Sequence, residues 1–205
     1  FALDGELSLN VEIAGTGSPL VLLHGFTGSA TGWGPLLEIL SARFTTIAVD
    51  IIGHGASDKP SDAARYEMMS VADDSVAVVR ELGFKRPAWL GYSMGGRLAL
   101  SIAAENPSVV DRLVLISASA GLADAGARVD RRESDAALAV QIERDGVASF
   151  VDDWERLPLF ASQQHLPDGM RKAIRRGRLA NDGHGLANSL RGMGTGAQSS
   201  LHDRL

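Results

Sequence analysis

A serine lies at the centre of a glycine-rich pentapeptide, Gly91-Tyr92-Ser93-Met94-Gly95. This G-x-S-x-G pattern permits a sharp turn from a strand into a helix, because glycine has no Cβ to clash. The turn presents the serine hydroxyl at the positive end of the helix dipole, where a nucleophile can react. The alternative is a glycine-rich turn whose serine has no chemical role. An apolar run before the motif and a helical pattern after it favour the nucleophile.

A second motif, HGFTG at residues 24–28, follows an earlier apolar run. In a protein that turns at Ser93, such a loop supplies one backbone N–H to a developing oxyanion. The residue after the serine supplies the other, so the predicted donors are the amides of Phe26 and Met94. We expect His24 to brace the loop rather than to take part in the chemistry. His54, in a loop that precedes the serine, is expected to be structural for the same reason.

Strands and helices must place these motifs side by side. Apolar or alternating runs predict strands at residues 6–13, 19–23, 44–49, 87–90 and 112–116. Helical spacing predicts helices at residues 33–40, 66–82 and 93–105. Alternation of the two indicates an α/β protein with a mostly parallel sheet. The continuous apolar strands are expected to be buried on both faces.

Composition excludes several other classes of protein. The 205 residues are 45% hydrophobic and 22% charged, which is ordinary for a globular domain. No apolar run is long enough to span a bilayer, and we expect a cytoplasmic protein. A net charge of −5 without a basic stripe argues against nucleic acid as a partner. The absence of cysteine removes thiolate metal sites, and neither a metal nor an organic cofactor is expected.

The pattern changes after residue 119. Residues 121–191 show no convincing strand and read as helices, with breaks predicted at the glycines and prolines 126, 146, 158, 167, 177 and 183. We interpret this segment as a helical cap inserted into the core. The predicted organisation is a core at 1–119, a cap at 120–191 and the start of a return to the core at 192–205.

The motifs at 24–26, 50–57 and 91–95 resemble the α/β-hydrolase superfamily in order and spacing across residues 1–119. The later sequence is similar to the MenH family, the 2-succinyl-6-hydroxy-2,4-cyclohexadiene-1-carboxylate synthases of menaquinone or phylloquinone biosynthesis. That similarity lies in Gly95-Gly96-Arg97, in Trp154 with LPLF at 157–160, and in LANSLRGMGTG at 186–196. It implies elimination of pyruvate from 2-succinyl-5-enolpyruvyl-6-hydroxy-3-cyclohexene-1-carboxylate.

A substrate with three carboxylates needs cations that do not titrate. Arg97 follows Ser93 by four residues, so its side chain rises on the same helix face and can offer a bidentate fork. The resemblance further implies Arg131, Arg178, Trp154 and Tyr92 as substrate-binding residues. A register error is possible, and the alternative arginines are Arg128, Arg132, Arg175 and Arg176. Trp154 could equally be a core residue of the cap.

The expected base is Ser93, deprotonated through a histidine that an aspartate orients. In this superfamily the acid and the histidine follow the serine in the chain. His165, His184 and His202 do follow it, but none has a strand-end context, so no triad histidine is assigned. We therefore expect a C-terminally truncated chain that lacks further strands and has little activity by itself. Its oligomeric state is open.

Two other functions remain at this point. One is a carboxylesterase or carbon–carbon bond hydrolase of the same superfamily, which would form an acyl-enzyme or a related intermediate at Ser93. The other is an inactive protein that binds a small anion under its cap. The intact serine motif and the oxyanion loop argue against the second.

Overall fold

The structure, a computed structural model, describes residues 1–3 and 7–205. Its strands are β1 (Ala2–Leu3), β2 (Leu7–Ser8), β3 (Val11–Ala14), β4 (Ser18–Leu23), β5 (Phe44–Val49), β6 (Ala88–Tyr92) and β7 (Leu113–Ile116). The last five form one sheet in the order β3-β5-β4-β6-β7, while β1 pairs only with β2 among the described residues. Within the five-stranded sheet β3 is antiparallel to β5 and the other pairs are parallel. The predicted α/β class and mostly parallel sheet are confirmed.

Helices cover both faces of this sheet. They are α1 (Pro35–Ser41), α2 (Met68–Glu81), α3 (Met94–Glu105), α4 (Ala125–Trp154), α5 (Asp168–Leu179) and α6 (Gly183–Met193). Val21 and Leu23 of β4 point to the side that α2 and α3 cover, in one apolar cluster. Leu20 and Leu22 alternate to the opposite side, where α1 packs in another cluster. Burial on both faces explains why β4 is apolar without a break.

Two predicted strands differ from the observed ones. The strand predicted at 6–13 is divided into β2 and β3, and its first residue, Glu6, lies outside the described residues. The last predicted strand is present as β7, but the expectation that it is buried on both faces is wrong. Val114, Leu115 and Ile116 are 46%, 38% and 40% exposed, because β7 is the edge of the sheet in the described chain.

Residues after 120 are helical, as the sequence indicates. The helices α4 and α6 pack against each other through an apolar cluster of their own, which includes Ile142, Phe150, Leu186 and Leu190. Three of the six predicted breaks, at 158, 167 and 183, fall between helices or at the start of one, and Gly146 interrupts α4 with φ 81° and ψ 165°. Gly126 and Gly177 are exceptions, because they lie inside α4 and α5 without breaking them. Among the described helices, none is long and apolar enough to cross a membrane.

Candidate active site

Ser93 lies between β6 and α3 in a conformation that residues other than glycine rarely adopt. Its φ is 52° and its ψ is −112°. Its N–H donates to the Ile116 carbonyl at 2.8 Å, and its carbonyl accepts from the Arg97 N–H at 2.9 Å. Strain of this kind costs about 1–3 kcal/mol and is retained mainly at functional positions. The strand–turn–helix geometry predicted around the serine is confirmed.

Glycines let the backbone close around this turn. A Cβ on Gly91 would overlap the carbonyl of Gly95, and a Cβ on Gly95 would overlap the last carbonyls of β4 and its loop. A Cβ on Gly25 would lie 2.8 Å from the Tyr92 ring and 3.3 Å from the Ser93 Cβ. The loop at residues 24–28 therefore lies directly against the serine turn, as the two motifs together predict.

The two amides predicted as oxyanion donors are available. Met94 is the first residue of α3, where a helical N–H has no acceptor within its own helix. Phe26 lies in the neighbouring loop. Within residues 1–3 and 7–205, neither N–H donates a hydrogen bond. Two unpaired backbone donors, one at the serine turn and one in the loop packed against it, are what stabilisation of an oxyanion requires.

Two buried histidines, His24 and His54, lie beneath the surface at the loop of residues 24–28. His24 accepts the Ile51 N–H at its Nε2 (3.0 Å), and its Nδ1 contacts the Gly25 carbonyl at 2.8 Å. The ring of His54 lies 5.1 Å from that of His24. Burial lowers the pKa of both imidazoles, that of His54 to about 3. Both side chains are thus neutral and structural, in agreement with the expectation.

Arg97 is a buried cation one helical turn beyond the serine. Its Nη1 donates to the Gln198 Oε1 at 3.1 Å, and no described carboxylate forms an ion pair with it. Burial, and then the nearby charge of Arg131, lower the pKa of Arg97 to about 10, partly offset by Asp135. The guanidinium therefore remains charged at neutral pH and has no anion of its own.

Arg131 is the predicted cap arginine that the structure brings towards Arg97, since its charge acts on the pKa of that residue. Its Nε donates to the Asp135 Oδ1 at 2.8 Å. The neighbouring Arg128 instead donates to backbone carbonyls at the start of α4, and Arg132 donates to the Gly196 carbonyl. Arg131 is thus the predicted arginine whose charge acts on Arg97, and its role in substrate binding stays a prediction.

Arg178 is placed differently from the expectation of a free carboxylate ligand. It forms an ion pair with Glu155 at 3.0 Å and donates to the Gln163 Oε1 at 3.0 Å. Its guanidinium also lies 4.6 Å from the centre of the Phe160 ring. These contacts lie within the cap and none joins Arg178 to Ser93, so its role in binding stays a prediction. Its register alternative Arg175 is likewise paired, with Asp152 and Glu155, whereas Arg176 forms no ion pair with any carboxylate among residues 1–3 and 7–205.

Trp154 belongs to an aromatic cluster that joins the cap to the oxyanion loop. Its ring lies 5.5 Å from that of Phe26, 5.3 Å from Phe150 and 5.5 Å from Phe160. Trp154 therefore packs among aromatic residues of the helical segment after residue 120 and against Phe26, and its role in the substrate site stays a prediction. Tyr92, next to the serine, is 40% exposed and packs on Gly25.

Three residues of the site were not predicted. Gln198 and Asp135 contact Arg97 and Arg131, and Asn181 donates from its Nδ2 to the Thr27 carbonyl of the oxyanion loop at 2.9 Å. Asp135 follows Arg131 by four residues, a spacing that predicts a helical ion pair. Gln198 and Asn181 offer no local signal, because their partners lie 101 and 154 residues away in the chain.

The histidines after Ser93 do not reach it in the described structure. His184 contacts Asn188 and Glu143, and His202 contacts the Gly121 carbonyl. His165 is exposed in the cap. The described residues therefore hold the serine, two amides and two arginines, but no histidine bonded to the serine.

Comparison with known proteins identifies the family. The profile of the alpha/beta hydrolase fold family matches residues 18–199. The chain belongs to this family. Within it the chain is MenH-like: a putative 2-succinyl-6-hydroxy-2,4-cyclohexadiene-1-carboxylate synthase of Bacillus subtilis is 46% identical over 91% of this chain and 68% of the relative. The synthase of that name from Klebsiella pneumoniae strain 342 is 32% identical over 95% of this chain and 75% of the relative.

A solved structure agrees with this assignment. The MenH structure from S. aureus superposes with a TM-score of 0.88 and 32% identity, and covers 96% of this chain and 74% of that protein. The alpha/beta hydrolase fold and the MenH-like recognition made from the motifs are thereby confirmed. A chain in this family with such relatives is an enzyme.

Proposed function

We propose that this chain carries the catalytic serine and the anion-binding part of a lyase of menaquinone or phylloquinone biosynthesis. The lyase eliminates pyruvate from 2-succinyl-5-enolpyruvyl-6-hydroxy-3-cyclohexene-1-carboxylate and gives 2-succinyl-6-hydroxy-2,4-cyclohexadiene-1-carboxylate. One observation carries the proposal: the strained Ser93 lies one helical turn from Arg97, a buried cation without an ion pair. The names of the Bacillus and Klebsiella relatives support the same reaction.

We expect the substrate to be bound mainly through its negative charges. Three carboxylates enter the site, and Arg97 with Arg131 provides two guanidiniums close enough for one to lower the pKa of the other. In this proposal residues 120–191 act as the cap over the core, and Trp154 forms an apolar wall. A hydrogen-bonded guanidinium–carboxylate pair fixes orientation as well as affinity, because its two N–H bonds are parallel.

The chemical step begins at the ring carbon next to the succinyl carbonyl. Ser93 accepts the proton from that carbon, C2, and the electron pair forms the C2–C3 double bond. The existing C3–C4 double bond shifts to C4–C5 as the bond from C5 to the enolpyruvyl oxygen breaks. The leaving enolate takes up a proton and becomes pyruvate. Ser93 needs a proton acceptor of its own, and we assign that role to a histidine oriented by an aspartate, as is usual in this family.

The amides of Phe26 and Met94 stabilise the charge that develops on the succinyl carbonyl oxygen. Each preorganised donor of this kind lowers a barrier by about 3 kcal/mol. No covalent bond to Ser93 is needed, because the serine acts as a base and not as a nucleophile towards carbon. The proposed lyase thus uses the same turn and the same amides with which a hydrolase of this family would hold a tetrahedral intermediate.

Pyruvate release from the enolpyruvyl substrate tests the proposal. The assay compares the full gene product that carries these residues, the 205-residue chain and the Ser93→Ala variant of each. We expect release by the full product and a fall of at least a thousandfold in its Ser93→Ala variant. Rapid hydrolysis of aryl esters without pyruvate release would instead establish an esterase, and tight substrate binding without any turnover would establish a binding protein.

A further inference from the structure

The charges around Arg97 do not cancel. Arg97 and Arg131 supply two positive charges, and Asp135 supplies one negative charge that is bonded to Arg131. Burial of Arg97, which is 9% exposed, makes an unmatched charge costly unless an anion offsets it. The cluster therefore has a net charge of about +1 before any ligand binds.

Gln198 is the side chain that completes this cluster. It is 1% exposed, and its Oε1 accepts the hydrogen bond from the Arg97 Nη1. Its Nε2 is enclosed and has no partner in the described chain. The residue comes from the segment that follows α6, so it approaches Arg97 from outside α3, the helix that carries Arg97. The Arg97 guanidinium needs a hydrogen-bond acceptor at position 198. The carboxylate of a glutamate has the same shape as the glutamine amide and could also accept this bond.

We infer that Gln198 is a specificity-determining residue, a neutral acceptor that orients Arg97 while leaving its charge free to bind a substrate carboxylate. The inference deepens the proposed function and rests on it for the identity of the substrate. A glutamate here would orient the guanidinium but also neutralise it, so the anion would lose its counter-charge. An apolar residue would leave the charge and remove only one hydrogen bond.

The test measures carboxylate binding and needs no turnover. Succinate is the first probe, titrated calorimetrically into the 205-residue chain, and the enolpyruvyl substrate is the second, titrated into its Ser93→Ala variant. The variants are Gln198→Glu, which keeps the size and adds a charge, and Gln198→Met, which keeps the size without charge or acceptor. Gln164→Glu makes the same charge change at an exposed position of the cap. Arg97→Gln removes the cation itself.

We expect Gln198→Glu to weaken succinate binding at least tenfold, Gln198→Met to weaken it no more than threefold, and Gln164→Glu to change it less than twofold. Arg97→Gln should weaken it as much as Gln198→Glu does. The inference is overturned if Gln198→Glu binds within twofold of the parent, if Gln198→Met is as weak as Gln198→Glu, or if Arg97→Gln retains the parent affinity.

Thermal unfolding checks that each variant folds. If Gln198→Glu does not fold, Gln198→Met decides alone: retained succinate affinity supports the inference, and lost affinity overturns it. Failure of the proposed function has a different signature, because the full gene product would then release no pyruvate while the order of succinate affinities stayed as expected.

Discussion

At the scale of single residues, Ser93 is held in a conformation that favours glycine. Its φ of 52° is maintained by the hydrogen bond to Ile116 and by the helix that begins at Met94. A glycine at this position would remove the strain, and its absence points to a need for the hydroxyl. The strain can therefore be measured as a change in the free energy of unfolding, whatever reaction the site performs.

We therefore predict that Ser93→Gly raises the free energy of unfolding by about 1 kcal/mol, because glycine adopts positive φ without a Cβ penalty. The control is Ser134→Gly on the exposed face of α4, where glycine lowers stability by about 0.5 kcal/mol. Urea unfolding of the 205-residue chain measures both. A loss of stability in Ser93→Gly similar to that of the control would show that the serine is not strained.

The buried histidines predict a dependence of stability on pH. The pKa of His54 falls to about 3 in the folded state through burial, whereas an unfolded histidine titrates near 6.5. A lowered pKa means that the unfolded state takes up the proton first. Stability from this group is therefore complete above pH 6.5 and is lost as the pH falls towards 3. His24, with its pKa lowered in the same way, adds to the effect.

We expect the free energy of unfolding to fall between pH 6.5 and pH 5 by up to about 1.4 kcal/mol per pH unit for each such group. His54→Gln should reduce this slope even if it lowers stability at every pH. His165→Gln, at an exposed position, should leave the slope unchanged. Urea titrations at a series of pH values give the slopes, and equal slopes in the three proteins would contradict the prediction.

At the scale of elements, the junction of α5 and α6 is tied to the oxyanion loop. Asn181 lies in this junction, is 8% exposed and donates to the Thr27 carbonyl. Thr27 has a φ of 66° and directly follows Phe26, whose amide is a proposed oxyanion donor. The helical segment after residue 120 therefore supports the loop that contains Phe26.

Asn181→Ala should loosen the loop. The Gly28 amide donates to the Gly25 carbonyl at 2.9 Å and reports on this turn. Loss of one hydrogen bond, about 1 kcal/mol, should raise its rate of hydrogen exchange about fivefold. Asp182→Ala is the control, since it removes the cap bond to the Gly185 N–H in the same junction without touching the loop. Equal exchange at Gly28 in the parent and in Asn181→Ala would show that the contact does not hold the loop.

Local patterns in the sequence were sufficient for the parallel strands of the sheet and for the serine turn, but not for the exposure of β7, which depends on its place at the sheet edge. These signals are local in the sequence: the apolar run of β4, the alternation of strands with helices, and the glycines around Ser93. The partners of Arg97 and of Thr27 could not be found in this way, because Gln198 and Asn181 meet them only after the chain has folded. The paired state of Arg178 was missed for the same reason, since Glu155 lies 23 residues earlier in the chain, directly after α4.

At the scale of the whole molecule, the sheet has one unprotected side. No strand of the described residues pairs with the outer side of β7, and Val114 is 46% exposed there. Unpaired backbone groups beside apolar side chains form a template for pairing with another chain. The 205-residue chain by itself is therefore expected to associate with copies of itself through this edge.

Val114→Lys should suppress this association, because a charged side chain at an edge strand opposes strand pairing. We expect the average mass of the parent chain, measured by light scattering after size exclusion, to rise with concentration, and the variant to need at least tenfold more protein for the same rise. Ile39→Lys is the matched control: Ile39 is 69% exposed on α1, away from the edge. A parent that stays monomeric, or an Ile39→Lys variant as effective as Val114→Lys, would show that association does not proceed through β7. If Val114→Lys alone is effective, the edge of the sheet is the surface by which this chain associates.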